Sequence, residues 1–247
     1  MIKMSRRAWL GTMGAAAAAG VVGLPLVPRE GRAAVLPPRE RIRRRNLPDV
    51  ALTTHEGKGV RFYDDLVKDK FVTINMMFTS CKAICPLTTA NLVRVQKLLA
   101  ERVGRDLFMY SITLDPAHDT PEVLNAYAKT FGVGPGWTFL TGKPDDIERL
   151  RRNLGFSWAN REMDQDKDFH TGNLRYGNEP LTLWGAVPGM AQPEWVAECI
   201  LFADRPENGE KDRQLIAQAK AHGTRSASAP EAVVLPTPHH DHHHGKH

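Results

Sequence analysis

Hydrophobic and polar positions along the chain change period several times, and each change marks an element. Residues 71–78 (Phe-Val-Thr-Ile-Asn-Met-Met-Phe) carry no charge and predict a strand covered on both faces. Residues 107–114 (Leu-Phe-Met-Tyr-Ser-Ile-Thr-Leu) predict a second one. Between them, residues 87–101 form a polar run of helix formers. Asp119-Thr120-Pro121-Glu122 signals the start of a helix running to about Phe131, and Lys143-Pro144-Asp145-Asp146 that of another ending near Gly155. Residues 137–140 read as a short strand. Ahead of all these, residues 50–53, a turn at Glu56-Gly57-Lys58-Gly59 and residues 60–62 predict a hairpin. Strands alternating with helices imply an α/β domain whose sheet contains parallel pairs. Beyond Gly155 the pattern thins: residues 163–168 read as a polar loop, followed by a strand through Leu174 and Tyr176 and a helix over about 193–203. From Gly223 onward Ser, Ala, Thr and Pro dominate, a composition that predicts disorder. There is no internal repeat.

Charge changes the picture at the N-terminus. The chain of 247 residues carries a formal +5, but residues 1–34 hold Lys3, Arg6, Arg7, Arg29 and Arg32 against Glu30, leaving only +1 for the rest. Ser5-Arg6-Arg7-Ala8-Trp9-Leu10, followed by an uncharged Ala/Gly-rich stretch, reads as a twin-arginine export signal, with small residues suited to cleavage at Gly31-Arg32-Ala33-Ala34. On this reading 1–34 is the signal, 35–46 a linker, 47–205 the folded domain and 206–247 an extension. The protein then works in the periplasm, free or tethered to the membrane by an uncleaved signal. Basic residues are not interleaved with aromatics in the manner of a nucleic-acid surface, so nucleic acid is not an expected partner.

The candidate chemistry lies at residues 79–86 (Thr-Ser-Cys-Lys-Ala-Ile-Cys-Pro), where the first buried run meets the helix. Cys81 and Cys85 are four apart, so one helical turn brings both sulfurs to the same side. Pro86 suits a first helical turn, and the partial positive charge of a helix N-terminus favours thiolate over thiol. Such a pair suits two soft ligands for one metal, a dithiol closing to a disulfide, or a structural staple. The staple fits least, since this junction is a poor place to join distant segments. Cys199 sits in an apolar helical stretch and reads as core. Met76 and Met77 read as strand packing and His118 as solvated. The end of the chain holds His239, His240, His242, His243, His244 and His247, an auxiliary metal-capturing tail on this reading.

Taken together, Cys81-Lys82-Ala83-Ile84-Cys85-Pro86, Leu114-Asp115-Pro116-Ala117-His118-Asp119-Thr120-Pro121, Phe131-Gly132, Trp137-Thr138-Phe139-Leu140-Thr141-Gly142 and His170-Thr171 resemble the Sco/SenC family of copper proteins over about residues 47–176. The resemblance implies a thioredoxin-like fold, a central mixed sheet flanked by helices. It further implies copper, Cu(I) or Cu(II), bound by Cys81, Cys85 and His170. Its implied role is copper delivery to a respiratory oxidase subunit or reduction of that subunit's thiols. Asp115 and Asp119 become candidates for orienting the ligands, and Asp119 equally for capping its helix. The segment after His170 departs from the family's Asp-x-x-Gly hairpin.

A copper chaperone rather than an enzyme is the reading these residues favour. Its rival is a thiol–disulfide oxidoreductase that uses Cys81 and Cys85 as the redox pair with a thiol partner. A thiol peroxidase and a metal buffer rank below. Two thiolates and an imidazole form a soft, open set suited to Cu(I) and to release by ligand exchange.

Overall fold

The computed structural model describes residues 36–167 and 171–223. Seven strands form one mixed sheet in the order β2-β1-β5-β4-β3-β6-β7. The hairpin predicted near the start is present as β1 (Ala51–Thr54) and β2 (Gly59–Arg61). The two uncharged runs become the central parallel pair, β3 (Phe71–Met77) and β4 (Leu107–Thr113), in register from Phe71↔Leu107 to Met77↔Thr113. β5 (Trp137–Gly142) continues the parallel pairing on β4 and meets β1 antiparallel. β6 (Asn173–Asn178) pairs antiparallel with β3, and β7 (Leu183–Pro188) closes that edge.

Every residue of β3 is buried, as a run without charge predicts for a strand covered on both faces. Its alternate side chains feed two cores. Phe71 and Met77 join Leu107, Phe139 and Leu124 under α2 (Ile84–Leu98), α3 (Pro121–Thr130) and α6 (Pro193–Leu201). Val72, Ile74 and Met76 join Phe62, Leu140 and Leu150 under α1 (Pro38–Asn46) and α4 (Pro144–Asn153). Polar side chains on the first face satisfy one another: Trp137 Nε1 donates to Ser111 Oγ at 2.9 Å, and Ser111 Oγ donates to Asn75 Oδ1 at 2.7 Å, crossing three strands.

Two stretches differ from their sequence reading. Residues 38–46, within the expected linker, form α1, held by a buried charge. Glu179, 2% exposed, accepts both arms of the Arg39 guanidinium at 2.5–2.6 Å, the Tyr63 hydroxyl at 3.0 Å and the Asp69 amide at 2.9 Å. Burial pushes the Glu179 carboxyl up, but these donors outweigh it and hold it below the usual carboxylate range. Residues 210–223, placed by the sequence in an extension outside the folded domain, form α7 (Glu210–Gly223), which seats Ile216 in the core and turns Asp212 toward the buried Arg102. Composition alone hides both contacts, because each joins residues more than 100 apart.

Candidate metal centre

The sheet's central strand delivers the cysteines. β3 ends at Met77, and residues 79–83 form an irregular loop before α2 starts at Ile84. Cys81 lies in this loop, its amide donating to Phe78 O at 3.3 Å, and Cys85 lies in the first turn of α2. Both are thiols and both are buried, at 7% and 1% exposure. They belong to the same apolar cluster, and the Cys81 thiol hydrogen-bonds Cys85. The expectation that the helix end favours thiolate is reversed at Cys85. Burial pushes its thiol well up, with the Cys81 sulfur and the Asp119 carboxylate adding to the rise and the hydrogen bond with the Phe78 backbone opposing it. Desolvation in this apolar setting exceeds what one helix end supplies.

Asp119 is the brace of the loop. It is fully buried, and its carboxylate accepts the Thr79 amide at 3.1 Å, the Thr79 hydroxyl at 2.5 Å, the Thr113 hydroxyl at 2.5 Å and a contact from His118 Nδ1 at 3.0 Å. One side chain therefore ties the end of β3, the end of β4 and the start of α3 together two residues ahead of Cys81. It is not the helix cap: Thr120 holds that position, its Oγ1 accepting the Val123 amide. His118, read as solvated, keeps its side chain 55% exposed while leaning on Asp119. Asp119→Asn, which offers an amide where two hydroxyls and an N–H need acceptors, should destabilise the fold by about 1.5–3 kcal/mol. Urea denaturation checks this, and an unchanged midpoint would show that the brace carries no load.

Asp115, one loop turn earlier, accepts from Lys167 Nζ at 2.6 Å, and that ammonium sits 5.1 Å from the centre of the Phe78 ring. This contact anchors the loop that follows α5 (Arg161–Gln165) against the cysteine segment. The expected polar loop over 163–168 thus includes the last turn of a short helix, capped by Asn160. On the other flank, Gly172 takes φ +58, and a Cβ there would stand 3.1 Å from Ile84 Cδ1. Its carbonyl accepts the Gly189 amide at 2.9 Å. Lys167 and Gly172 each abut the cysteine segment.

His170 lies outside the described residues, as do the twin-arginine stretch and the tail histidines 239, 240, 242, 243, 244 and 247. Among the described residues no three His, Cys, Asp or Glu side chains gather to hold a metal, and no helix is long and apolar enough to cross a membrane. Met76 and Met77 are core, as expected. Cys199 is half-buried and packs against the first core from outside rather than within it. Sequence reasoning missed Thr79 and Thr113, whose roles depend on a carboxylate distant in the chain. Thr171, which follows His170 in the sequence, has a buried hydroxyl with no hydrogen-bond partner among the described residues.

A mixed sheet flanked by helices, with two thiols where the central strand gives way to a helix, is a thioredoxin-like arrangement, and Sco proteins are among the solved structures that share it. The chain belongs to the SCO1/SenC family, whose model matches residues 44–178. It is 30% identical over 143 residues, 57% of this chain and 66% of the relative, to a Stutzerimonas stutzeri protein named for copper binding. ScoI of Bradyrhizobium japonicum, solved with copper bound, overlaps 64% of this chain and 98% of its own, with a TM-score of 0.51 and 22% identity. BsSco, described as carrying a disulfide switch and as a member of the Sco family of cytochrome c oxidase assembly proteins, overlaps 64% and 92% with a TM-score of 0.52 and 23% identity. The chain spans between about one third and two thirds of the length of the curated relatives it matches.

Proposed function

We propose that this protein binds copper through Cys81, Cys85 and His170 and hands it, in the periplasm, to the copper site of a respiratory oxidase subunit. The observation that carries the reading is the hydrogen-bonded thiol pair held in an apolar setting by the Asp119 brace. Two adjacent sulfurs fit a soft ion such as Cu(I). The loops on either side of His170 abut the same segment, which supports it as third ligand. The copper-binding name of the S. stutzeri relative and the oxidase-assembly description of BsSco point the same way. The twin-arginine pattern supports export. Because the Cys85 thiol is held protonated by burial, loading releases protons as the metal replaces them.

Copper titration of the reduced and the disulfide-oxidised protein, each truncated after Pro230, tests this reading. One copper should bind the reduced form and none the oxidised form, with binding restored by reductant. Undiminished uptake by the oxidised protein would place the metal elsewhere. His170→Ala should fold normally and lose about 10–100-fold in affinity. The oxidoreductase reading rests on the same thiol contact and separates at that variant: vigorous thiol exchange untouched by His170→Ala, with no copper phenotype, would favour it. Comparing full-length and truncated chains tests the tail, which should add to the stoichiometry without altering the thiolate absorption.

A further inference from the structure

On the opposite face of the sheet from α2, a half-open cavity of about 370 Å³ lies between α1, the end of α4 and the β6–β7 hairpin. Its apolar surface comes chiefly from Ile42, Leu47, Leu154 and Trp184. The Trp184 ring lies flat against Gly177 of the paired strand, so closely that a Cβ on Gly177 would stand 2.1 Å from it, and this contact fixes the ring as one wall.

The chemistry of the cavity is set by Arg175. The guanidinium donates from Nη2 to Gly155 O at 2.5 Å and sits 5.5 Å from the centre of the Phe156 ring, but its buried Nε has no acceptor among the described residues. Among the described residues Arg175 has no carboxylate partner, and no acidic side chain lines the cavity. The nearby side-chain amides each give one N–H to a backbone carbonyl, Asn46 Nδ2 to Asn153 O and Asn153 Nδ2 to Arg45 O. Gly155, at φ +74, leaves the room the guanidinium occupies, since a Cβ there would stand 2.7 Å from Nη2. Burial holds the Arg175 guanidinium below its ordinary value, the signature of a cation short of a counter-charge. A charge kept among apolar groups without an opposite charge is unfavourable, and a bound anion would relieve it.

We propose that this cavity binds a small monocarboxylate with an apolar body, its carboxylate on the Arg175 guanidinium and its ring or chain against Trp184, Leu47 and Leu154. A lining with Arg175 as its one charged side chain suits a singly charged carboxylate better than a phosphate, whose higher charge asks for more than one cation. The site is independent of the cysteine pair, which lies across the sheet.

The test uses the full chain, with 4-phenylbutyrate and its neutral amide 4-phenylbutyramide as probes in isothermal titration. The carboxylate should bind saturably and at least about tenfold more tightly than the amide, the worth of one charge-assisted contact. Arg175→Met should bring the carboxylate down to the level of the amide, Arg175→Lys should keep most of the difference, and copper uptake should be the same in all. Equal binding of acid and amide to the unaltered protein would overturn the proposal without reliance on any variant. So would a failure of the carboxylate to saturate, or full binding by a folded Arg175→Met.

Discussion

Replacing Cys81 and Cys85 together by serine in a chain truncated after Pro230 is expected to abolish copper binding, the largest functional effect of any substitution in this molecule. Two soft, polarizable sulfurs would be exchanged for two hard hydroxyls that do not ionise near neutrality, and His170 alone cannot hold Cu(I) against solvent and buffer. The fold should survive. Both positions are buried in the first core, yet serine is smaller than cysteine, and each hydroxyl can hydrogen-bond the other as the thiols do. The expected penalty is about 1–3 kcal/mol from burying hydroxyls in an apolar cluster. Cu(II) added to the unaltered protein should give a thiolate-to-copper charge-transfer band, and the double variant should show none. A single serine at either position should remove or strongly shift the band. Cys199→Ser should leave it in place, since that residue packs outside the first core, on α6. Full-strength binding by the truncated double variant would show that the copper site is not built on this loop.

Local patterns made most of the fold legible. The uncharged, β-former-rich runs at 71–78 and 107–114 read as buried strands, and the Pro-acidic starts at 121 and 144 fixed two helices almost to the residue. β7 was missed because it is an edge strand, half-exposed, with Gly185 inside and Pro188 at its end, and such a pattern is indistinguishable from loop. What stabilises it lies on its partner: Trp184 covers Gly177 and Tyr176 covers Gly185, a reciprocal fit invisible in either strand alone. At the candidate site, the cysteine spacing was plain and the brace was not. Asp119 looked equally like a cap, and only the approach of Thr79 and Thr113 from two other elements decides its role. The thiol's protonation ran against expectation for a related reason. Helix position is read from sequence, whereas burial is set by everything that packs around the turn.

The strongest effect on stability is expected from Arg102→Met. Arg102 is 2% exposed and lies in the loop before β4, where its guanidinium meets Asp204 at 2.6 Å, Asp106 at 3.2 Å and Asp212 at 3.8 Å while resting on the Phe71 ring. Asp204 and Asp212 belong to the segment beyond residue 178, so this one cation fastens α6 and α7 to the part of the chain that matches the family model. Methionine keeps the length and the apolar contact with Phe71 but leaves two carboxylates, 4% and 5% exposed, without their counter-charge. Removing one partner of a buried ion pair destabilises by about 3–5 kcal/mol. The loss should depend on pH in a defined direction. Burial already pushes the Asp212 carboxyl above its usual range even with Arg102 beside it. Without the arginine it rises further. A group with a raised folded-state value favours the folded protein when protonated, so its contribution is present below about pH 4 and disappears as the pH climbs through the raised value. The gap between Arg102→Met and the unaltered protein should therefore be widest near neutrality and narrow on acidification toward pH 4–5. Urea denaturation at several pH values measures it. A gap that stays constant across that range would mean that packing, and not the stranded charge, accounts for the loss.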